Sequence, residues 1–257
     1  MKTLEIIKIG GKIINDDELL DKFIQSFSQI GGAKILVHGG GRAATELSAI
    51  LGLKPKMING RRITDKETLR VATMVYAGLV NKSIVVKLQA HDCQALGLSG
   101  ADGNLIQSHK REVKDIDYGY VGDIDAVNTA LLQQLIVAGY TPVICPLTHD
   151  KQGQLLNTNA DTIAAQVTRA MSTDYAVKLK YCFEYNGVLK DLDDQNSILS
   201  TVSSVDIKTY IKDGTFSDGM IPKAENAFDA LHKGASQVNI CGIAHVHESN
   251  PGTQFII

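Results

Sequence analysis

The stretch LEIIKIGGKIINDDELLDKFIQSFSQIGGAKILVHGGGRAATELSAIL (Leu4–Leu51) decides the fold class. Leu4–Ile9 is a short apolar run of strand length. Asp16 and Asp17 then open a helix whose Leu19, Leu20, Phe23, Ile24, Phe27 and Ile30 keep helical spacing, and Gly31-Gly32 ends it. Ala33–His38 is a second strand, and Gly39-Gly40-Gly41 leads into a helix over Ala43–Leu51. Strand, helix, strand, loop, helix predicts a parallel sheet with right-handed crossovers.

Outward from there the alternation continues. Lys66–Ala77, Asn81–Ala90, Ala126–Ala138, Ala160–Met171, Ser203–Ile211 and Lys223–Lys233 read as helices. Gln94–Leu98, Thr141–Cys145, Tyr175–Leu179, Gln237–Cys241 and Gly252–Ile257 read as strands. Lys54–Arg62 and Ser99–Asp125 are irregular, suited to hairpins or a lid. The expectation is an α/β fold, a three-layer open and mostly parallel sheet between helices. It forms a single domain over 1–257, with approximate lobes at 1–178 and 179–257.

The chain has 257 residues, 44% of them apolar, enough to bury a core. Its formal net charge is −2 and it has no Trp, so neither a basic surface nor a stacking platform for nucleic acid is expected. No uninterrupted apolar run approaches the roughly 18 residues of a membrane span. The four cysteines (Cys93, Cys145, Cys182, Cys241) stand far apart, as in a reduced, cytoplasmic chain with buried thiols. His245-Val246-His247 has no third ligand at zinc spacing and reads as an exposed strand or loop.

Five segments can carry chemistry. Lys8-Ile9-Gly10-Gly11-Lys12 places bare backbone amides after a strand, either a nest for a phosphate or a tight turn with a solvated lysine. It is not a Walker A loop. His38-Gly39-Gly40-Gly41-Arg42 puts bare backbone at a helix N-terminus, which suits a carboxylate or phosphate. It lacks dinucleotide spacing, and the esterase reading of HGGG needs GxSxG, which Gly97-Leu98-Ser99-Gly100-Ala101 fails at its last position. Asn59-Gly60-Arg61-Arg62 is a turn followed by two planar forks able to grip a carboxylate; solvated arginines on a hairpin are the plain alternative. Asn157-Thr158-Asn159-Ala160-Asp161 offers Asn159 as a helix cap and Asp161 in the first turn. Ser217-Asp218-Gly219-Met220-Ile221-Pro222-Lys223 puts a cation at a helix start, where it is electrostatically disfavoured unless an anion is near.

In this order the five segments resemble the amino-acid kinase family, and within it the acetylglutamate kinases, whose motifs look like KxGG, HGGG, NGxR[VI]T, NxNAD and [TS]DGMxxK. Ser99–Gly103 and Tyr120–Asp123 also look like family loops. The resemblance implies an ATP-dependent transfer to the side-chain carboxylate of a small-molecule N-acyl-glutamate, in arginine biosynthesis. The N-terminal part would hold the acyl-glutamate and the C-terminal part MgATP, with Mg²⁺ arriving on the nucleotide. By resemblance, Lys8 and Lys223 stabilise the transferring phosphoryl group and Asp161 orients both. Gly10, Gly11 and Gly40 donate N–H bonds to phosphate. Gly40, Gly41, Arg62 and Asn157 bind the acyl-glutamate. Glu184, Gly187, Ser217 and Gly219 belong to the nucleotide side.

Two departures stand out. Arg61 replaces the family's usual Leu and is expected either to meet a second carboxylate, making N-succinylglutamate the substrate, or to face solvent. Phe183-Glu184-Tyr185-Asn186 replaces the usual [TS]D segment, and Lys178 and Lys180 add charge that could alter nucleotide contacts. No segment precedes strand one, so a homodimer without hexamer-type arginine control is expected, with no nucleic-acid or membrane partner. Rivals are a sibling kinase for aspartate, glutamate, carbamate or UMP, or a catalytically silent nucleotide-binding regulator.

Overall fold

The computed structural model describes residues 1–58, 61–191, 193–212, 215–216 and 220–257, the side chains of Arg61 and Pro222 excepted. The Asn59-Gly60 turn and the expected nucleotide residues Ser217 and Gly219 lie outside the described residues. The chain opens with β1 (Lys2–Ile9), α1 (Gly11–Ile14), α2 (Asp17–Ser28), β2 (Ala33–His38), α3 (Gly41–Ile50) and the short strands β3 (Met57–Ile58) and β4 (Arg61–Arg62). Then come α4 (Lys66–Thr73), a π-helical stretch (Met74–Val80), α5 (Asn81–Gln89), β5 (Ala95–Leu98), β6 (Ile106–Lys110), β7 (Gly122–Val127) and α6 (Thr129–Val137). Next are β8 (Thr141–Ile144), β9 (Leu147–His149), β10 (Leu155–Asn157), α7 (Ala160–Met171) and β11 (Tyr175–Phe183). The chain closes with β12 (Thr201–Ser203), α8 (Asp206–Lys212), α9 (Ile221–His232), β13 (Gln237–Gly242) and β14 (Thr253–Ile256).

Two compact units result. One comprises Met1–Ile35 and Ala164–Ile257, the other Leu36–Ile163, so the chain changes unit within β2 and again within α7. The lobes expected from sequence were consecutive stretches divided near 178; these units are not consecutive in the first case.

In the first unit the strand order is β12-β14-β13-β11-β1. β1 pairs parallel with β11, and β11 with β13, while β14 runs antiparallel to β13. Leu4, Ile6, Ile7 and Ile9 are all fully buried, so β1 is covered on both faces, as a central parallel strand is. The α2 N-terminus is capped as its sequence predicts: the Leu19 N–H donates to Asp16 Oδ1 at 3.0 Å. Its C-terminus is closed by a residue from the next strand. The buried Lys34 ammonium donates to the carbonyls of Phe27 (3.1 Å), Ser28 (3.2 Å) and Ile30 (2.8 Å), adding a charged donor to the last turn and complementing the helix dipole.

The second unit contains the parallel pairs β2–β8 and β8–β5, a mixed sheet ordered β10-β9-β6-β7 and the β3–β4 hairpin. β6 and β7 fill the stretch read as irregular. They also shorten the next helix. Ala126 and Val127 pair with Gln107 and Ile106, and Asn128 caps α6 by accepting from the Leu131 N–H at 3.1 Å, so the helix begins at Thr129 rather than Ala126. The two helices expected at 66–77 and 81–90 are one, because the π-helical stretch carries the axis through Gly78. The merged helix Lys66–Gln89 is long and apolar enough to cross a membrane by length and composition, which counting uninterrupted apolar runs missed. Of its most apolar window 44% is buried, and Val75, Tyr76, Val80, Ile84 and Leu88 face the interior as in a core helix.

Candidate active site

In the first unit the parallel register aligns Lys8 with Tyr181, Ile9 with Cys182, and Cys182 with Cys241. The carboxyl ends of β1, β11 and β13 therefore share one edge, the edge at which open α/β sheets bind ligands. Gly10, Gly11 and Glu184 follow directly. Lys8 is buried, with its Nζ 5.9 Å from the centroid of the Phe183 ring. Lys223, in the first turn of α9, places its Nζ 3.9 Å from the same centroid. Two ammonium groups from residues 215 positions apart in sequence thus converge on one aromatic side chain. The two centroid distances bound their separation at about 10 Å. Phe183 was noted in the sequence only as a departure; the cation–π contact with both lysines is its structural role.

The Lys8 Nζ lies beside Gly10: a Cβ there would stand 3.8 Å from it, at ordinary contact distance. Lys12 reaches across to Glu184 at 2.6 Å. Burial pulls the Glu184 carboxyl upward, but the Lys12 hydrogen bond and the Lys12 and Lys223 charges prevail and hold it below the usual range. Gly187 is buried, and a Cβ would lie 2.8 Å from both Ile198 Cγ2 and Thr253 Oγ1, so close packing requires glycine there.

The charge expected from Lys180 at the nucleotide side is not available there. Lys180 is fully buried, paired with Glu5 Oε2 at 2.5 Å and donating to the carbonyls of Val246 (2.9 Å) and Glu248 (2.7 Å). Lys178 donates to the Ser249 carbonyl at 3.4 Å. Lys180 therefore serves the fold.

In the second unit the α3 N-terminus organises the site. Gly40 is the cap and Gly41 the first helical residue. A Cβ at position 40 would come within 2.7 Å of the Tyr76 ring, so only glycine fits beneath that side chain. Arg62 is buried, and its Nη2 donates to the Gly41 carbonyl (2.8 Å) and to Thr45 Oγ1 (2.7 Å). Its Nη1 is buried without a hydrogen-bond partner among the described residues. A buried guanidinium N–H left unpaired is costly unless a ligand completes it. Asn157 donates from Nδ2 to Thr64 Oγ1 at 3.0 Å, and main-chain bonds tie Thr64 and Asn157 to Tyr118 and Tyr120. Asn159 caps α7 as expected, accepting from the Asp161 N–H at 2.7 Å, so Asp161 sits in the first turn. The Arg61 side chain lies outside the described residues.

A buried polar network supports the glycine loop. His38 Nδ1 meets the Gly39 carbonyl at 2.6 Å, and Asn81 Nδ2 donates to His38 Nε2 at 3.0 Å and to the Val143 carbonyl at 3.0 Å. These partners assign the proton to Nδ1. Burial, with the Lys82 charge assisting, lowers the His38 pKa to about 4 against the Gly39 hydrogen bond, so the ring is neutral at physiological pH. All four thiols are buried, and burial pushes Cys145 up to about 12, which does not suit a nucleophile. His245 pairs with Glu248 and His247 with Ser26. Among the described residues no group of three or more His, Cys, Asp or Glu is arranged to hold a metal.

A mostly parallel sheet with lysines at its carboxyl edge and a glycine-led helix beside a buried arginine are features of a phosphotransferase fold. The chain belongs to the amino acid kinase family, which its residues 3–242 match. It is 52% identical over 248 residues to the acetylglutamate kinase of Parabacteroides distasonis, covering 96% of this chain and 97% of that one. It is 51% identical over 253 residues to the acetylglutamate kinase of Bacteroides thetaiotaomicron, covering 98% of each. Among solved structures, N-acetylglutamate synthase from Neisseria gonorrhoeae, complexed with coenzyme A and N-acetyl-glutamate, superposes with a TM-score of 0.83 at 23% identity. It spans 100% of this chain and 59% of that one, a likeness of fold.

Proposed function

We propose that this chain transfers the γ-phosphoryl group of ATP to the side-chain carboxylate of N-acetyl-L-glutamate, a step of arginine biosynthesis. The observation that carries the reading is the convergence of Lys8 and Lys223 on Phe183, joined to relatives about half identical over nearly the whole chain. The second unit seats the acyl-glutamate, with the Gly40 and Gly41 amides and Arg62 as donors and Asn157 beside them. The first unit seats the nucleotide along Gly10, Gly11 and Glu184. Gly187, Ser217 and Gly219 complete the nucleotide side, and the orienting role of Asp161 belongs to the same reading.

The chemistry fits these groups. The acceptor is already ionised, so no general base is needed. One carboxylate oxygen forms a bond to the γ-phosphorus while the bond to the ADP oxygen breaks, and no proton moves. The obstacle is repulsion between two anions, which fixed cations and bare amides offset without reorganising. Mg²⁺, carried by the nucleotide, would neutralise its phosphate oxygens. A cytoplasmic homodimer completes the proposal; Met74, Leu79 and Val86 leave exposed apolar surface on the long helix for self-association.

A coupled ADP-release assay tests the reading. Wild-type enzyme should turn over N-acetyl-L-glutamate, and Lys8→Ala should lose on the order of 10²–10³ in kcat. Near-full kcat in that variant refutes the role of Lys8. Running N-succinyl-L-glutamate in parallel tests Arg61: a kcat/KM preference for succinyl assigns the second carboxylate to it, and a clear acetyl preference removes that possibility.

A further inference from the structure

The π-helical stretch Met74–Val80 interrupts an otherwise regular helix, and such turns re-aim side chains, often at functional sites. Tyr76 lies within it and is 4% exposed. Its ring lies over position 40 so closely that any Cβ there would collide with Cδ1 at 2.7 Å and Cε1 at 3.0 Å. Its hydroxyl stands beside Arg62: burial raises the phenol's pKa, and the Arg62 charge and a hydrogen bond from the Arg62 side chain oppose that rise. The phenol oxygen faces the guanidinium and keeps its own O–H to donate, while Arg62 Nη1 meets no acceptor at full hydrogen-bond geometry among the described residues.

We propose that Tyr76 is a positioning and specificity residue of the acyl-glutamate site. Its ring walls the α3 N-terminus at Gly40, and its hydroxyl joins Arg62 Nη1 as a paired donor for one substrate carboxylate. This rests on the acyl-glutamate reading above. It also accounts for two features that reading leaves unexplained: why the helix widens at Tyr76, and why Arg62 spends Nη2 on the protein yet leaves Nη1 open. A phenol and one guanidinium edge converge as two fixed donors, matched to the two oxygens of a carboxylate.

The test is steady-state kinetics of Tyr76→Phe, which keeps the ring and hence the packing over Gly40. KM for N-acetyl-L-glutamate should rise about tenfold, the loss of one hydrogen bond to a charged group, while kcat and KM for ATP change less than about twofold. In an Arg62→Lys background the same substitution should add little, because the paired donor is already broken. An unchanged acyl-glutamate KM in Tyr76→Phe, or fully multiplicative effects in the double variant, overturns the inference and leaves a packing role. The wild-type control separates the two claims. An active wild type with an unaffected Tyr76→Phe refutes only the role of Tyr76. A wild type that turns over no N-acyl-glutamate removes the underlying reading and this inference with it.

Discussion

Acidification should destabilise this protein through one buried ring. His38 is fully buried and keeps a pKa of about 4, against an ordinary value of 6.5. Below pH 6.5 the unfolded chain takes up a proton that the folded chain refuses. The stability His38 contributes is therefore complete above 6.5 and is lost as pH falls toward 4. Linkage gives the size: about 2 kcal/mol lost by pH 5, approaching about 3.4 kcal/mol below pH 4. Carboxylates such as Asp65 and Asp150, held low by backbone N–H donors, lose stability at still lower pH, so a control must isolate the ring. His38→Gln serves, since its side-chain oxygen can accept from Asn81 in place of Nε2 and does not titrate. Urea denaturation of both proteins at pH 7.5, 6 and 5 gives the difference directly. The gap between them should shift by about 2 kcal/mol from pH 7.5 to 5, with wild type losing more. Parallel pH profiles would refute the neutral, Nδ1-protonated assignment and the network built on it.

Two further substitutions probe the frame around the site. Lys34→Met removes the ammonium that closes the C-terminus of α2, taking a donor from the Phe27, Ser28 and Ile30 carbonyls, of which Phe27 keeps its bond from the Ile30 N–H. It should cost about 2–3 kcal/mol in denaturant melts, and a cost within 0.5 kcal/mol would show that water replaces it. Gly119→Ala forces a side chain onto φ +72 and puts its Cβ 2.2 Å from the Thr64 carbonyl oxygen. A loss of about 2–4 kcal/mol, with a raised KM for the acyl-glutamate from displacement of the Thr64–Asn157 pair, is expected. Wild-type stability and KM together would contradict that register.

The local layer of this protein was legible in its residues. Helical spacing and the Asp16 cap located α2, the apolar run located β1, and Asn159 was read correctly as the cap of α7. These depend on neighbours three or four positions away, so composition and period suffice. The ordered glycine, lysine and arginine motifs likewise pointed to the family, because bare amides and cations are chemical requirements written directly into sequence.

Tertiary packing decided the rest. Asn81 holds His38 from 43 positions away, and Arg62 reaches the α3 N-terminus across 21. Lys8 comes near Phe183 because parallel register brings β1 and β11 to one edge, and the first turn of α9 carries Lys223 to the same ring. Lys180, read as added charge near a phosphate, is instead consumed by Glu5 and two carbonyls. Alternation of apolar residues announces that strands exist without naming their neighbours. Where a charged side chain ends depends on which strand lies beside it, and that follows from closing the sheet, a condition no local stretch of sequence contains.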